Sequence, residues 1–252
     1  MNFFKYIAHF IKYYTFSVVC LLYSFNPKNY NPASRQTLVK QIYYVALEIL
    51  PIFLILSILF GAIIMGLVVS IAIQYNLKEY IGQLIVQFIL VELTPFIIAL
   101  IISFRTGLRI GAKMAIMKVN GELNSLKMFD IDVVSYLVMP RAIGNMLGFL
   151  SLVFLSSLIM IVSGYVFLFL QIGMDINLFL STIISAITPK DIALFVVKSM
   201  FYGFVIVTIP SYDGIIIKKR YFEIPATLSK TIISLFIIIL FVEVLSLIIE
   251  FL

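Results

Sequence analysis

Five stretches of the chain are each long and apolar enough to cross a lipid bilayer, and that settles the class before any single residue is weighed. A crossing helix needs about 20 mostly apolar residues, because the hydrocarbon core is roughly 30 Å thick and a helix rises about 1.5 Å per residue. The runs 47–73, 81–104, 142–172, 192–210 and 228–252 meet this requirement. The run 142–172 is too long for a perpendicular crossing and is expected to tilt or to project beyond the bilayer. Composition agrees: 63% of the 252 residues are hydrophobic and 12% are charged, against about 45–50% and about 25% in a soluble domain. That charge cannot cover a water-soluble globule of this size, and disorder would need the opposite balance. The expected fold is an all-α integral membrane protein with five transmembrane helices.

Charge placement gives an orientation. Except for Lys78, Lys190 and Lys198, every Lys and Arg falls in the N-terminal segment, the second loop or the fourth loop. Positive loops stay in the cytoplasm, so the N-terminus is expected inside and, with five spans, the C-terminus outside. The stretch 3–23 is apolar and aromatic but interrupted by Lys5, His9 and Lys12. It reads as a helix lying in the cytoplasmic interface, with a sixth span as the alternative. No small-x-small cleavage site follows it, which argues against a signal peptide. Residues 26–34, with Pro27 and Pro32, read as a turn region. The chain thus divides into an N-terminal segment, 1–40, and a membrane domain, 41–252.

The chemistry of sites is narrow. With one His and one Cys, a His/Cys zinc site and an internal disulfide are excluded, and Cys–His catalysis on His9 and Cys20 has little support. No Gly-x-x-x-x-Gly-Lys-Ser/Thr loop is present, so no nucleotide site is expected, and no cofactor. The basic residues gather on loops rather than on a soluble face, so nucleic acid is not an expected partner. Charges within spans need a reason, since burying one costs roughly 2.5–3.5 kcal/mol on insertion scales. Glu92 lies near the centre of the second span, three residues before Pro95, and Glu243 lies midway along the fifth. One reading has them pair with Lys198, Arg105 or tyrosine hydroxyls and hold helices in register. The other has Glu92 face a lipid cavity and recognise or gate a headgroup, with Pro95 loosening the helix there. Glu48 and Lys198 are expected nearer span ends, within snorkelling reach of water. Gly61, Gly66, Gly144 and Gly148 are expected to let helices approach closely.

The second loop, about 105–140, is the longest polar stretch. Arg105, Arg109 and Lys113 recur at i, i+4 and i+8, which aligns three cations on one helical face. Ala112, Ala115, Ile116 and Val119 supply an apolar side. A short amphipathic helix on the cytoplasmic surface follows, resting on anionic headgroups in one reading and serving as a peg for a protein partner in the other.

Here the sequence resembles a known family. Glu92-Leu-Thr-Pro95, Arg105-Thr-Gly107, Met117-Lys-Val, Leu126, Asp132 and Tyr136-Leu-Val-Met-Pro140-Arg141 follow, in order, the signature of MlaE/YrbE-type permeases. These are the membrane subunits of ABC transporters that move phospholipid or other lipids between bacterial membranes. Weaker matches extend over about 40–250, at Gln41-Ile-Tyr-Tyr, Pro51, Gly61, Lys198-Ser, Gly203, Tyr212-Asp-Gly214 and Ala226-Thr227. The chain departs from the pattern at Thr94 (usually Gly), at Lys113 (commonly Glu), at Asn120-Gly121-Glu122 (usually Thr-Glu-Gln) and at Val133 (usually Pro).

The resemblance implies a homodimeric permease in the bacterial inner membrane, driven by a separate ABC ATPase. It also implies a periplasmic lipid-binding MCE-type protein and, in some systems, a small regulatory subunit. The basic helix between spans two and three would be the coupling helix, with Arg105, Arg109, Lys113 and Glu122 meeting the ATPase. Glu92, Pro95 and Glu243 would bind or gate the lipid, and Gly107, Asp132, Pro140 and Arg141 would be structural motif residues. An ATPase-independent secondary transporter or channel is the alternative; it predicts broken helices and repeats, and no clear repeat is seen. An intramembrane enzyme ranks last, because Val162-Ser-Gly164 lacks the first glycine of a rhomboid-like motif.

Overall fold

The computed structural model describes residues 3–24, 32–75, 80–218 and 220–251, with side chains outside 3–10, 33, 172 and 251. Lys28, Lys78, Lys219, residues 26–31 of the expected 26–34 turn and the side chains of Lys5 and His9 therefore lie outside the described residues; Pro32–Ser34, expected in that turn, instead open a helix, where a proline is tolerated in the first turn.

The described residues form helices joined by short turns. They are α1 (Phe3–Ser24), α2 (Pro32–Ile42), α3 (Leu50–Gln74), α4 (Ile81–Leu84), α5 (Thr94–Ile102), α6 (Leu108–Val119), α7 (Glu122–Met128), α8 (Met139–Ile172), α9 (Ile176–Ala186), α10 (Pro189–Ile216) and α11 (Ile224–Phe251). Wider π turns at Tyr43–Leu47, Ile85–Leu93, Ser103–Gly107 and Val134–Val138 merge several of them. Five rods long and apolar enough to cross a membrane result: Ser34–Gln74, Ile81–Val119, Val134–Gln171, Pro189–Ile216 and Tyr221–Glu250.

All five expected spans are present, but most are longer than the apolar runs. The second does not stop at Arg105. It continues through the π turn at Ser103–Gly107 into α6, so the basic helix is the far reach of a span rather than a separate surface helix. Main-chain hydrogen bonds do not require apolar side chains, so helix can outrun hydropathy.

Packing centres on α10, whose side chains from Tyr202 to Ser211 are almost all buried. It lies against α8, α6, α11, α5 and α1, while α3 and α2 pack along α8. Small residues permit the closest approaches. A Cβ on Gly61 would sit 2.5 Å from the Met160 carbonyl oxygen, and one on Gly144 would sit 2.7 Å from the Leu38 oxygen. Gly66 faces Phe167 and Gly148 faces Val45. α11 is lipid-like on most of its surface, with Ile233, Ile237, Phe241 and Val244 exposed. α9 is a short apolar helix that the sequence reading did not anticipate; at 11 residues it is too short to cross.

α1 packs across α10, α8 and the π turn before α8. Tyr13 donates to both carboxylate oxygens of Asp213 at 2.9 Å. Ser17 bonds Thr208 at 3.3 Å, and Cys20 is wholly buried in a cluster with Ile110, Met114 and Val138. Tyr14 and Leu22 remain exposed, so α1 is one-sided.

Candidate functional site

Among the described residues, two polar sites gather most of the side chains singled out in the sequence. The first lies inside the apolar bundle. α10 begins with a capping box in which the Thr188 hydroxyl and the Asp191 carboxylate satisfy each other's main-chain N–H groups. Starting the helix there places Lys198 about 13 Å along it, at roughly 1.5 Å per residue. Lys198 is 4% exposed: it does not snorkel. Its ammonium forms an ion pair with Glu92 and another with Glu243, the latter at 2.9 Å.

The neighbours complete this cluster. Ser246 donates to the second Glu92 oxygen at 2.8 Å, and the Tyr202 hydroxyl donates to Glu243 at 2.6 Å. Pro95 has a specific local consequence. Having no N–H, it cannot donate to the carbonyl of Val91, four residues earlier. Lys198 Nζ donates to that carbonyl at 3.3 Å. Thr94 donates its hydroxyl to the Ile89 carbonyl at 2.6 Å, in the wide-turned stretch Ile85–Leu93 that ends at the proline. Spans two, four and five are thereby joined by two carboxylates, one ammonium and two hydroxyls, all buried but the Glu243 carboxylate, which is 14% exposed.

Of the sequence-named gating residues, Glu92, Pro95 and Glu243 all meet here. Lys198 is the member the sequence reading misplaced, and the Thr188-Pro-Lys-Asp191 cap was the signal that would have set its depth. Arg105 is not part of the cluster. It pairs with Glu48 at 3.4 Å, as does Arg109 at 3.5 Å, and Arg109 also lies over the Tyr44 ring.

The second site is at the end of the bundle that carries most of the cations. A cavity of about 430 Å³ opens between α2, α6 and α8 and the π turn after α2. It is lined by Lys40, Gln41, Tyr44, Arg109, Lys113 and Arg141, with Thr37 and Ile110. Arg141 is 9% exposed. Pro140 starts α8 beside it, and Asp132 caps the preceding turn by accepting the Ser135 N–H at 2.9 Å. Gly107 lies against Leu235 and Pro210. Glu122 opens α7 after Gly121, whose φ of 83° is left-handed, and accepts from Asn120 at 3.1 Å. The tip that follows exposes Met128, Phe129 and Ile131. Among the described residues no group of three or more His, Cys, Asp or Glu side chains could hold a metal.

Comparison with known proteins covers nearly the whole bundle. The family model described as Permease MlaE matches residues 38–249. A probable ABC transporter permease protein of Rickettsia prowazekii is 24% identical over 183 residues, 73% of this chain and 71% of that protein. The intermembrane phospholipid transport system permease protein MlaE of Haemophilus influenzae is 28% identical over 179 residues, 70% of this chain and 68% of that protein. The chloroplastic protein TRIGALACTOSYLDIACYLGLYCEROL 1 of Arabidopsis thaliana is 25% identical over 142 residues, 56% of this chain and 41% of that protein. With the match running from α2 to the last turns of α11, the chain belongs to the MlaE permease family.

Proposed function

We propose that this chain is the membrane subunit of an ABC transporter that moves phospholipid across or out of the bacterial inner membrane. Work would come from a separate ATPase chain, because this chain is read as having no nucleotide site of its own. The observation that carries this is the family match over 38–249, supported by the name of the Haemophilus relative. Positive charge at the α2, α6 and α8 end supports a cytoplasmic placement for that end and for the N-terminus. A homodimer and an MCE-type partner on the opposite face are part of the same reading. Residues 1–40 then form an interfacial segment, and 41–252 the permease domain.

Mechanically, the Glu92–Lys198–Glu243 cluster holds spans two, four and five in one register. Moving a lipid past these spans would require those pairs to exchange for contacts with a headgroup. The stretch around Pro95, with its wide turns, is the compliant part of span two. Of the four residues assigned to the ATPase contact, Glu122 stands closest to the protruding tip. Arg105 and Arg109 reach Glu48, and Lys113 faces the cavity. We therefore centre ATPase docking on α7 and the exposed Met128 and Phe129, from which a push would travel up the continuous rod Ile81–Val119 to Glu92.

The test is reconstitution of the chain with its ATPase in liposomes, following a labelled phospholipid. Transport is expected to need ATP hydrolysis, and Met128→Asp with Phe129→Asp is expected to abolish both co-purification and transport. Lipid movement by the chain alone, without nucleotide hydrolysis, would support the secondary-transporter alternative instead.

A further inference from the structure

The cavity between α2, α6 and α8 collects four cationic side chains, Lys40, Arg109, Lys113 and Arg141, and no carboxylate lines it. Arg109 is engaged by Glu48. Among the described residues, none of Lys40, Lys113 and Arg141 has a carboxylate within 4.0 Å. Arg141 is the telling member. It is buried, yet the partner of its guanidinium is the Met114 sulfur at 3.4 Å. A guanidinium carries five N–H donors in a planar fork, and a thioether is a weak acceptor. A buried charge left this way is costly unless something else answers it.

We propose that this cavity is a binding site for a phosphate-bearing anion, the phosphodiester of an anionic lipid headgroup or free phosphate. The Arg141 fork matches two phosphate oxygens. Lys113 and Lys40 add point charges from α6 and α2, and the Gln41 amide and Tyr44 hydroxyl supply neutral hydrogen bonds. The volume, about 430 Å³, lies within the roughly 300–1,000 Å³ of small-molecule pockets. The neighbouring surface of the first span is apolar and exposed at Val39, Tyr43 and Leu47, so an acyl chain of a bilayer lipid has a path beside the mouth. The site goes beyond the transport reading and stands whether or not α7 meets an ATPase.

The experiment is calorimetric titration of the full-length chain in non-ionic detergent with three probes. These are dioctanoylphosphatidylglycerol, inorganic phosphate and dioctanoylglycerol, which lacks the phosphate. The first is expected to bind the wild type and the third not. Lys113→Gln and Arg141→Gln are each expected to weaken binding at least tenfold, Arg141→Lys less, and Lys230→Gln, outside the cavity, not at all. Lys113 is exposed, so its variant is expected to keep the wild-type unfolding temperature and to report on binding alone. Tighter binding of the lipid than of phosphate assigns the headgroup as the source; equal binding assigns free phosphate. The proposal is overturned if neither phosphate probe binds, if dioctanoylglycerol binds as well as the phospholipid, or if both Gln variants bind like the wild type.

Discussion

Replacing Lys198 with methionine tests the buried cluster most directly. The side chain is 4% exposed and answers Glu92, Glu243 and the Val91 carbonyl at once. Methionine keeps most of the volume and removes the charge together with its N–H donors. Glu92 and Glu243 then remain close together inside the bundle with the Ser246 and Tyr202 hydroxyls as donors, and the nearby Glu250 adds a third carboxyl. Removing one partner of a buried ion pair costs about 3–5 kcal/mol. For a chain of this length, about 2–4 °C of unfolding temperature is lost per kcal/mol, so the variant should melt roughly 6–20 °C below wild type. The assay is loss of the monodisperse peak after heating in detergent or in nanodiscs. A second variant, combining Lys198→Met with Glu92→Gln and Glu243→Gln, removes the stranded charges as well and should recover at least half of the loss. The reasoning fails if Lys198→Met melts within ~2 °C of wild type, or if the triple variant is no better than the single one.

Three further outcomes follow from the packing. Gly61→Ala places a methyl 2.5 Å from the Met160 carbonyl oxygen and 2.7 Å from its Cα; the first and third spans must separate, a loss of about 1–3 kcal/mol, read as a lower unfolding temperature. Asp213→Ala deprives the Tyr13 and Thr231 hydroxyls of their carboxylate, and at about 1.5–3 kcal/mol for a hydrogen bond to a charged group it should loosen α1 from α10. Cys20 is the reporter for that: burial pushes its thiol up from 9.0 to about 12, so it should resist maleimide at pH 8 in the wild type and react readily in Asp213→Ala. The same shift fixes a sign, since the neutral thiol is favoured in the folded chain. Its contribution is full below pH 9 and is lost as pH rises from 9 towards 12, so alkaline unfolding should begin earlier in wild type than in Cys20→Ala.

The sequence showed five crossings because apolar length is a local property that hydropathy measures. The ends of those crossings were less legible, because they depend on partners far along the chain. The second span appeared to stop at Arg105, the first charge after the apolar run. The helix continues because main-chain hydrogen bonding goes on past the first charge, as the i, i+4, i+8 cations indicate; what no local pattern announces is that Glu48, 57 residues from Arg105, pairs with Arg105 and Arg109. Lys198 appeared close to a span end because the apolar run begins at Ile192; the cap at Thr188 and Asp191 adds nearly a turn before it. Glu92 and Glu243 stood out because charge inside an apolar run is conspicuous, whereas Lys40 looked like an ordinary flanking cation and Arg141 stood out only as part of the Pro140-Arg141 motif. Only the fold brings them to one cavity. Tyr13 and Asp213 are 200 positions apart, and α1 could be recognised as one-sided but not assigned a face to pack against.

The two polar sites are not isolated from each other. Gln41 lines the cationic cavity and donates to the side-chain Oδ1 of Asn145 at 3.3 Å. Asn145, fully buried, donates in turn to the Gly203 main-chain oxygen at 2.6 Å. Glycine at 203 lets α8 come this close, because a Cβ there would stand 2.8 Å from the Met146 Cα and 3.0 Å from the Asn145 main-chain oxygen. The next residue back along α10 is Tyr202, whose hydroxyl holds Glu243. An unbroken line of hydrogen bonds and adjacent main chain thus joins the basic end to the charged cluster through spans one, three, four and five. The links from Gln41 to Gly203 are buried, where a misplaced donor costs about 1–3 kcal/mol, and the last, from Tyr202 to Glu243, is partly buried. Spans joined this way resist independent sliding, so they are built to move together or to exchange partners together. That is the mechanical property a bundle needs if a push at one end is to alter charge pairing roughly 12–16 Å inside the other.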